Sequence, residues 1–164
     1  MSNKMEDPLL SLAARLGEAA LARGAMIATA ESCTGGLVAG AITAIAGSSA
    51  WFERGFVTYS YLAKEEQLGV PAATLARFGA VSEETAKAMA QGAVRGGAAQ
   101  WAVAVTGIAG PDGGSSDKPV GTVWFAWAGP DHLQALRRQF EGDRTAVRTA
   151  SVQVALEGLI DRLA

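Results

Sequence analysis

Short apolar runs, each bounded by glycine, proline or polar turn residues, alternate along this chain with longer stretches whose apolar residues recur at helical spacing. That alternation constrains the fold more than any other feature. Residues 26–30 (MIATA), 55–60 (GFVTYS), 101–105 (WAVAV), 120–128 (VGTVWFAWA) and 133–140 (LQALRRQF) read as strands, the last more exposed because it carries Arg137 and Arg138. Asp7-Pro8 opens a first helix, with Leu9, Leu12, Leu16 and Ala19 or Ala20 on one stripe, and Gly24 stops it. Further helices are predicted over 36–45, over 61–68, from Pro71 to Gly79, and over 83–95 behind the N-cap Ser82. Asp143 caps a long last helix with Val152, Leu156, Leu159, Ile160 and Leu163 on one broad face. Helices follow buried strands over roughly the first two-thirds of the chain, which implies a sheet covered on both sides. The short step between the last two strands suits a hairpin. The expected fold class is therefore α/β: a three-layer α/β/α sandwich with a mixed, mostly parallel sheet of about five strands.

At 164 residues the chain is long enough for one domain with its own core. We read residues 1–164 as a single domain, with 1–6 a short leader. The charges, 14 basic against 16 acidic, give no basic excess for nucleic acid. A single cysteine, Cys33, excludes an intrachain disulfide and a Cys-rich metal site. A single histidine, His132, lies in the turn GPDH and excludes a His-based metal cluster. No apolar run is long enough to span a bilayer, and the N-terminus lacks the pattern of a signal peptide. A soluble cytoplasmic protein, bound to neither membrane nor nucleic acid, is the expectation.

Three polar segments each follow a predicted strand: residues 31–36, 59–64 and 106–114. In a parallel sheet such strand ends line one edge, where open α/β folds bind ligands. In the first segment Ser32 stands at a strand-to-helix corner, with the amides of Cys33, Thr34 and Gly35 expected to begin a helix. Free amides at a helix start stabilise an oxyanion or bind phosphate. Gly35 and Gly36 permit close backbone approach. Two readings fit Ser32: a nucleophile, or an ordinary N-cap serine with glycines for packing.

A nucleophilic serine needs a base. Lys64, about one helical turn past the second strand, would serve if burial lowers its pKa; otherwise it is a solvated helix lysine. Glu65 and Glu66 should then face solvent. Tyr59 at the strand end is positioned to relay or orient a proton. Cys33 is the competing nucleophile, against its reading as a small buried side chain. The third segment, with Thr106, Gly107 and Gly110, can form a nest of amides for an anion, or a mobile surface loop. Arg144 and Arg148, at i, i+4 near the start of the last helix, could grip a phosphate or simply be solvated. Trp51, Phe52, Trp101, Trp124 and Trp127 read as core or as an oligomer contact.

Six segments, in one order through nearly the whole chain, resemble the CinA C-terminal domain family. They are TAESCTGGLVAG (29–40), GSSAWFERGFVTYSYLAK (47–64), GAVSEETAKAMAQGA (79–93), AVTGIAGPDGG (104–114), KPVGTV (118–123) and GDRTAVR (142–148). The resemblance implies an α/β/α domain with a five-stranded mixed sheet, often assembled as a homo-oligomer. It implies an amidohydrolase of pyridine nucleotide salvage that turns nicotinamide mononucleotide into nicotinate mononucleotide and ammonia. By the same resemblance Ser32 is the nucleophile, Lys64 its base, Tyr59 the tyrosine of the Y-S-x-x-x-K stretch, Thr106 a ligand-side threonine and Arg144 the arginine of the G-D-R segment. Acyl transfer through serine calls for no metal or cofactor. The chain departs from the family pattern at Tyr61, where asparagine is usual. Two other functions fit the sequence: a non-catalytic nucleotide-binding regulator, and an amidase for a different small amide.

Overall fold

Residues 7–164 are described by the structure, a computed structural model; the expected leader, residues 1–6, lies outside the described residues. Helix α1 (Pro8–Arg23) starts where the Asp7 carboxylate accepts the Leu9 amide, and it ends at Gly24 in the left-handed conformation. Strand β1 (Ile27–Glu31) is buried at every residue. It is followed by α2 (Leu37–Thr43), a single 3-10 turn (Ser48–Ala50), β2 (Phe52–Val57), α3 (Tyr61–Leu68), α4 (Ala72–Phe78) and α5 (Glu83–Arg95). Strands β3 (Trp101–Gly107), β4 (Thr122–Gly129) and β5 (His132–Gln139) come next, and α6 (Arg144–Leu163) closes the chain behind the N-cap Asp143.

The five strands form one sheet in the order β2-β1-β3-β4-β5. β1 is parallel to both its neighbours, while β3–β4 and β4–β5 are antiparallel. Four strands therefore point one way and only β4 is reversed, as expected of a mixed sheet ending in a hairpin.

The strands show why the sequence alternates alanine with larger residues. Ala28, Ala30, Ala102, Ala104, Ala126 and Ala128 all face the layer of α3, α4 and α5, where they meet Leu68, Leu75, Met89 and Ala90. Ile27, Val103, Val105, Phe125 and Trp127 face α1, α2 and α6 and pack on Leu16, Ile42, Leu156 and Leu159. Side chains of successive strand residues point to opposite faces, so one face is small throughout and the other large. The small face lets α5 lie close to the sheet. On the large face, a Cβ at Gly158 of α6 would overlap the Trp127 indole, and one at Gly17 of α1 would come within 2.8 Å of Trp51. Trp51, Trp101 and Trp127 are thus core residues.

Several boundaries differ from the sequence reading, among them the start of β2 at Phe52 and of β4 at Thr122. β2 ends at Val57, not Ser60, because its register with β1 runs out at Glu31↔Val57. Thr106 and Gly107 belong to β3, paired with Trp124 and Val123, so the loop starts later than expected. α2 begins at Leu37. The residues between Ser32 and Gly36 form a turn in which Gly35 and Gly36 take positive φ, a conformation that strongly favours glycine.

Candidate active site

Glu31 and Val57, the last residues of β1 and β2, stand beside Val105, two residues before the end of β3. The next residues, Ser32, Thr58 and Thr106, therefore emerge together at one sheet edge. The ladder runs one step past the strands: the Ser32 amide donates to the Val105 carbonyl (2.9 Å) and the Thr58 amide to the Glu31 carbonyl (2.8 Å). Ser32 thus sits at the centre of the edge on a backbone held from both sides.

Lys64 reaches Ser32 from α3. Ser60 caps that helix by accepting the Ala63 amide. The first turn then carries Lys64 inward, where its side chain is fully buried. Its Nζ is 2.8 Å from Ser32 Oγ, 2.7 Å from the Thr58 carbonyl and 3.2 Å from the Tyr59 carbonyl. Burial lowers its pKa from 10.5 to about 8, partly offset by the nearby Cys33. An ammonium would donate to all three oxygens. A neutral amine has two N–H bonds, which the two carbonyls occupy, and its lone pair is then free for the Ser32 hydroxyl proton. The early end of β2 is what turns those two carbonyls to the amine. Glu66 is exposed and Glu65 half-buried, and neither bonds to Lys64.

The other sequence candidates divide. The Tyr59 phenol bonds to neither Ser32 nor Lys64; it accepts from Arg144 at 3.2 Å, and the residue touches the lysine only through its carbonyl. The phenol expected to relay or orient a proton lies against the Arg144 guanidinium. Cys33 is buried and desolvation pushes its thiol up to about 12, the opposite of an activated nucleophile. His132 sits at the far end of the sheet, where it accepts from Arg162 at 2.9 Å and lies against Trp101.

The start of α2 differs from expectation in a way that matters for anions. Glu31, fully buried, accepts the Val38 amide at 2.8 Å and the Ala39 amide at 3.1 Å. That carboxylate closes the helix N-terminus from within. The donors left near Ser32 are those of the turn. The Gly35 amide bonds the Ser32 carbonyl (3.1 Å), while the Cys33 and Thr34 amides take no internal partner among the described residues.

A cavity of about 260 Å³ opens over Ser32. It is lined by Ser32, Cys33, Tyr59, Thr106, Gly107, Gly110 and Arg144, all anticipated from the sequence. Its volume lies near the lower end for small-molecule sites, which hold ~300–1,000 Å³. Arg144 is held at its mouth by the Gly110 carbonyl (2.9 Å) and the Tyr59 phenol. Arg148 is turned away, onto the carbonyls of Cys33 (3.1 Å) and Thr34 (3.3 Å). The Thr106 hydroxyl donates to the Ala80 carbonyl (2.9 Å). A slightly larger groove, about 290 Å³, runs between α1, α2 and α6, but its lining of Leu9, Leu10, Leu37, Ala41 and Val152 offers no nucleophile with a base.

The sequence reading missed one wall. Ala80 and Val81, from the α4–α5 connection, line the cavity. This wall is pinned by Thr106 and by Lys118, which bonds the Phe78 carbonyl at 2.7 Å. Tyr61 also holds it, accepting the Ala80 amide at 3.3 Å. The residue that departs from the family pattern therefore braces the pocket from outside. The signal was Tyr61 itself, but nothing in its spacing pointed to residue 80.

The family model of the CinA C-terminal domain matches residues 9–163. A protein of Pseudomonas putida named nicotinamide-nucleotide amidohydrolase PncC is 55% identical over 154 residues, 94% of this chain and 96% of that one. The Escherichia coli K12 protein of the same name is 56% identical over 155 residues, covering 94% of each. Among solved structures, the competence/damage inducible protein CihA of Agrobacterium tumefaciens superposes with a TM-score of 0.92 at 50% identity, over 98% of both chains. A CinA superfamily protein of Klebsiella pneumoniae also gives 0.92, at 41% identity.

Proposed function

The chain belongs to the CinA C-terminal domain family, and on that premise we propose that it is an amidohydrolase converting nicotinamide mononucleotide and water to nicotinate mononucleotide and ammonia. The relatives named for that activity are aligned with nearly the whole chain. The observation that carries the mechanism is the buried amine of Lys64 at 2.8 Å from Ser32 Oγ.

In this reading neutral Lys64 takes the Ser32 proton as Oγ bonds to the carboxamide carbon, and the carbonyl electron pair moves to oxygen. The Cys33 and Thr34 amides donate to that oxyanion. The carbonyl re-forms, the C–N bond breaks, and the Lys64 ammonium passes its proton to the departing nitrogen, which leaves as ammonia. Water then attacks the acyl ester, with Lys64 again the base, and the carboxylic acid and free Ser32 result. The Thr58 and Tyr59 carbonyls hold the amine in one orientation through both half-reactions. Arg144 and the loop through Gly110 face the 5′-phosphate, and Tyr59 fixes the arginine fork. No step calls on a metal or cofactor, and the reaction suits a place in pyridine nucleotide salvage.

Exposed Leu37, Val57, Tyr59, Tyr61 and Leu62 lie on the segments that carry the site. They support the accompanying proposal of a homo-oligomer, which sedimentation equilibrium measures. The function itself is tested by incubating the protein with nicotinamide mononucleotide and assaying ammonia. Wild type should release it and Ser32→Ala should not. Binding of the nucleotide without ammonia release would instead favour a regulatory binding module.

A further inference from the structure

Arg148 was expected either to grip a ligand or to be solvated, and it does neither. From α6 it crosses to the turn after Ser32, where Nε donates to the Cys33 carbonyl at 3.1 Å and Nη2 to the Thr34 carbonyl at 3.3 Å. Two successive carbonyls thus meet one planar guanidinium; the Thr34 carbonyl also accepts the Leu37 amide at 3.0 Å, so the Cys33 carbonyl is the one that Arg148 alone holds. Gly35 makes room: a Cβ there would stand 3.3 Å from Arg148 Nη2.

A trans peptide is rigid, and its C=O and N–H point in opposite directions. Fixing the Cys33 carbonyl therefore fixes the direction of the Thr34 N–H, on the side away from Arg148. Fixing the Thr34 carbonyl does the same for the Gly35 N–H, which meets the Ser32 carbonyl at 3.1 Å. That bond orients the Ser32–Cys33 peptide, and with it the Cys33 N–H. Every peptide plane from Ser32 to Gly35 is determined, and within those planes the Cys33 and Thr34 amides have no internal partner among the described residues. A guanidinium hydrogen-bonded to a carbonyl also polarises the peptide and strengthens its N–H as a donor. The charge of Arg148 reaches this turn: it is among the smaller influences that favour the Cys33 thiolate against burial.

We propose that Arg148 is a positioning residue for acyl transfer, setting and polarising the peptide units after Ser32 so that their amides meet the oxyanion. This rests on Ser32 being the nucleophile, but not on the identity of the amide substrate. The guanidinium touches no reacting atom; it acts through the backbone. Its planar fork offers a separate N–H to each carbonyl, whereas a lysine would have to serve both from one nitrogen.

The experiment measures Arg148→Gln and Arg148→Lys against wild type in two reactions. One is ammonia release from nicotinamide mononucleotide. The other is acetylation of Ser32 by p-nitrophenyl acetate, in which Oγ takes the acetyl group and p-nitrophenolate leaves. Circular dichroism confirms that each variant is folded. The expected result for Arg148→Gln is a kcat and an acetylation rate lower by about 10–100-fold, with KM for the nucleotide within about threefold of wild type. Arg148→Lys should fall between the two. A raised KM with kcat retained would overturn the proposal in favour of a substrate grip. Wild-type rates in folded Arg148→Lys and Arg148→Gln would overturn it outright. If wild type acetylates Ser32 but releases no ammonia, the nucleotide reading fails and the acetylation rates alone decide the role of Arg148. If wild type does not acetylate Ser32, both readings fall.

Discussion

Lys64 Nζ lies 2.8 Å from Ser32 Oγ, and its other two hydrogen-bond partners are both backbone carbonyls. Among the described residues no carboxylate shares that contact, and burial outweighs the opposing influence of the nearby Cys33. The arrangement favours a lysine that gives up its proton near neutral pH.

The first prediction is a pH profile. The reaction needs the neutral amine, and burial brings the Lys64 pKa to about 8. Below that value the competent fraction falls tenfold per pH unit; above it the fraction saturates. A plot of kcat/KM against pH should rise with an apparent pKa near 8 and then level. Above a pH of about 8 Lys64→Met should lower kcat/KM by at least about 10³-fold, since among the described residues no other base reaches Ser32. A profile already flat from pH 6 upward would exclude Lys64 as the titrating group.

The second concerns stability. The Lys64 pKa is about 8 in the folded chain and 10.5 when exposed, so between these values the unfolded state binds more protons. Stability should therefore rise with pH through this window. Below about 8 the buried amine carries its full penalty, on the order of 3 kcal/mol. Urea unfolding of wild type should show this rise, and Lys64→Met should lack it. The difference between the two curves isolates Lys64 from the titration of tyrosine and cysteine.

The edge on which these groups meet was legible from strand ends alone, because the polar segments 31–36, 59–64 and 106–114 each follow a predicted strand. The alternation of helices with buried strands likewise implied a sheet covered on both sides. Three things were not legible. The Lys64 carbonyl partners depend on where β2 stops pairing with β1, a register set by tertiary contact. The Tyr59 phenol is claimed by Arg144, 85 residues away in sequence. The third is Glu31: an acid inside a buried strand gave no sign that it would cap the helix after it.

The third prediction separates the two arginines of α6. Arg144 lines the cavity, and Arg148 bonds the turn. Arg144→Ala should raise KM for nicotinamide mononucleotide by about 10–100-fold, the loss of a charge-assisted phosphate contact. The riboside, which lacks the phosphate, should be turned over equally by variant and wild type. An equal loss on both substrates would place Arg144 elsewhere in the reaction.

The last concerns Glu31, whose two oxygens satisfy the amides of Val38 and Ala39 where no solvent reaches the carboxylate. Glu31→Ala would strand both donors, and each buried unmade hydrogen bond costs ~1–3 kcal/mol. A loss of about 2–5 kcal/mol in urea unfolding is expected. Glu31→Gln keeps the shape and one acceptor but turns an NH₂ toward an N–H, so its loss should be smaller but still measurable. The turn from Ser32 to Gly36 spans the gap between Glu31 and the helix it caps. Releasing the helix should therefore loosen the nucleophile as well, and Glu31→Gln, assayed where it is fully folded, should show a lower kcat. Glu31→Ala as stable as wild type to within about 0.5 kcal/mol would mean that the helix start finds other partners, and the role assigned to this carboxylate would be wrong.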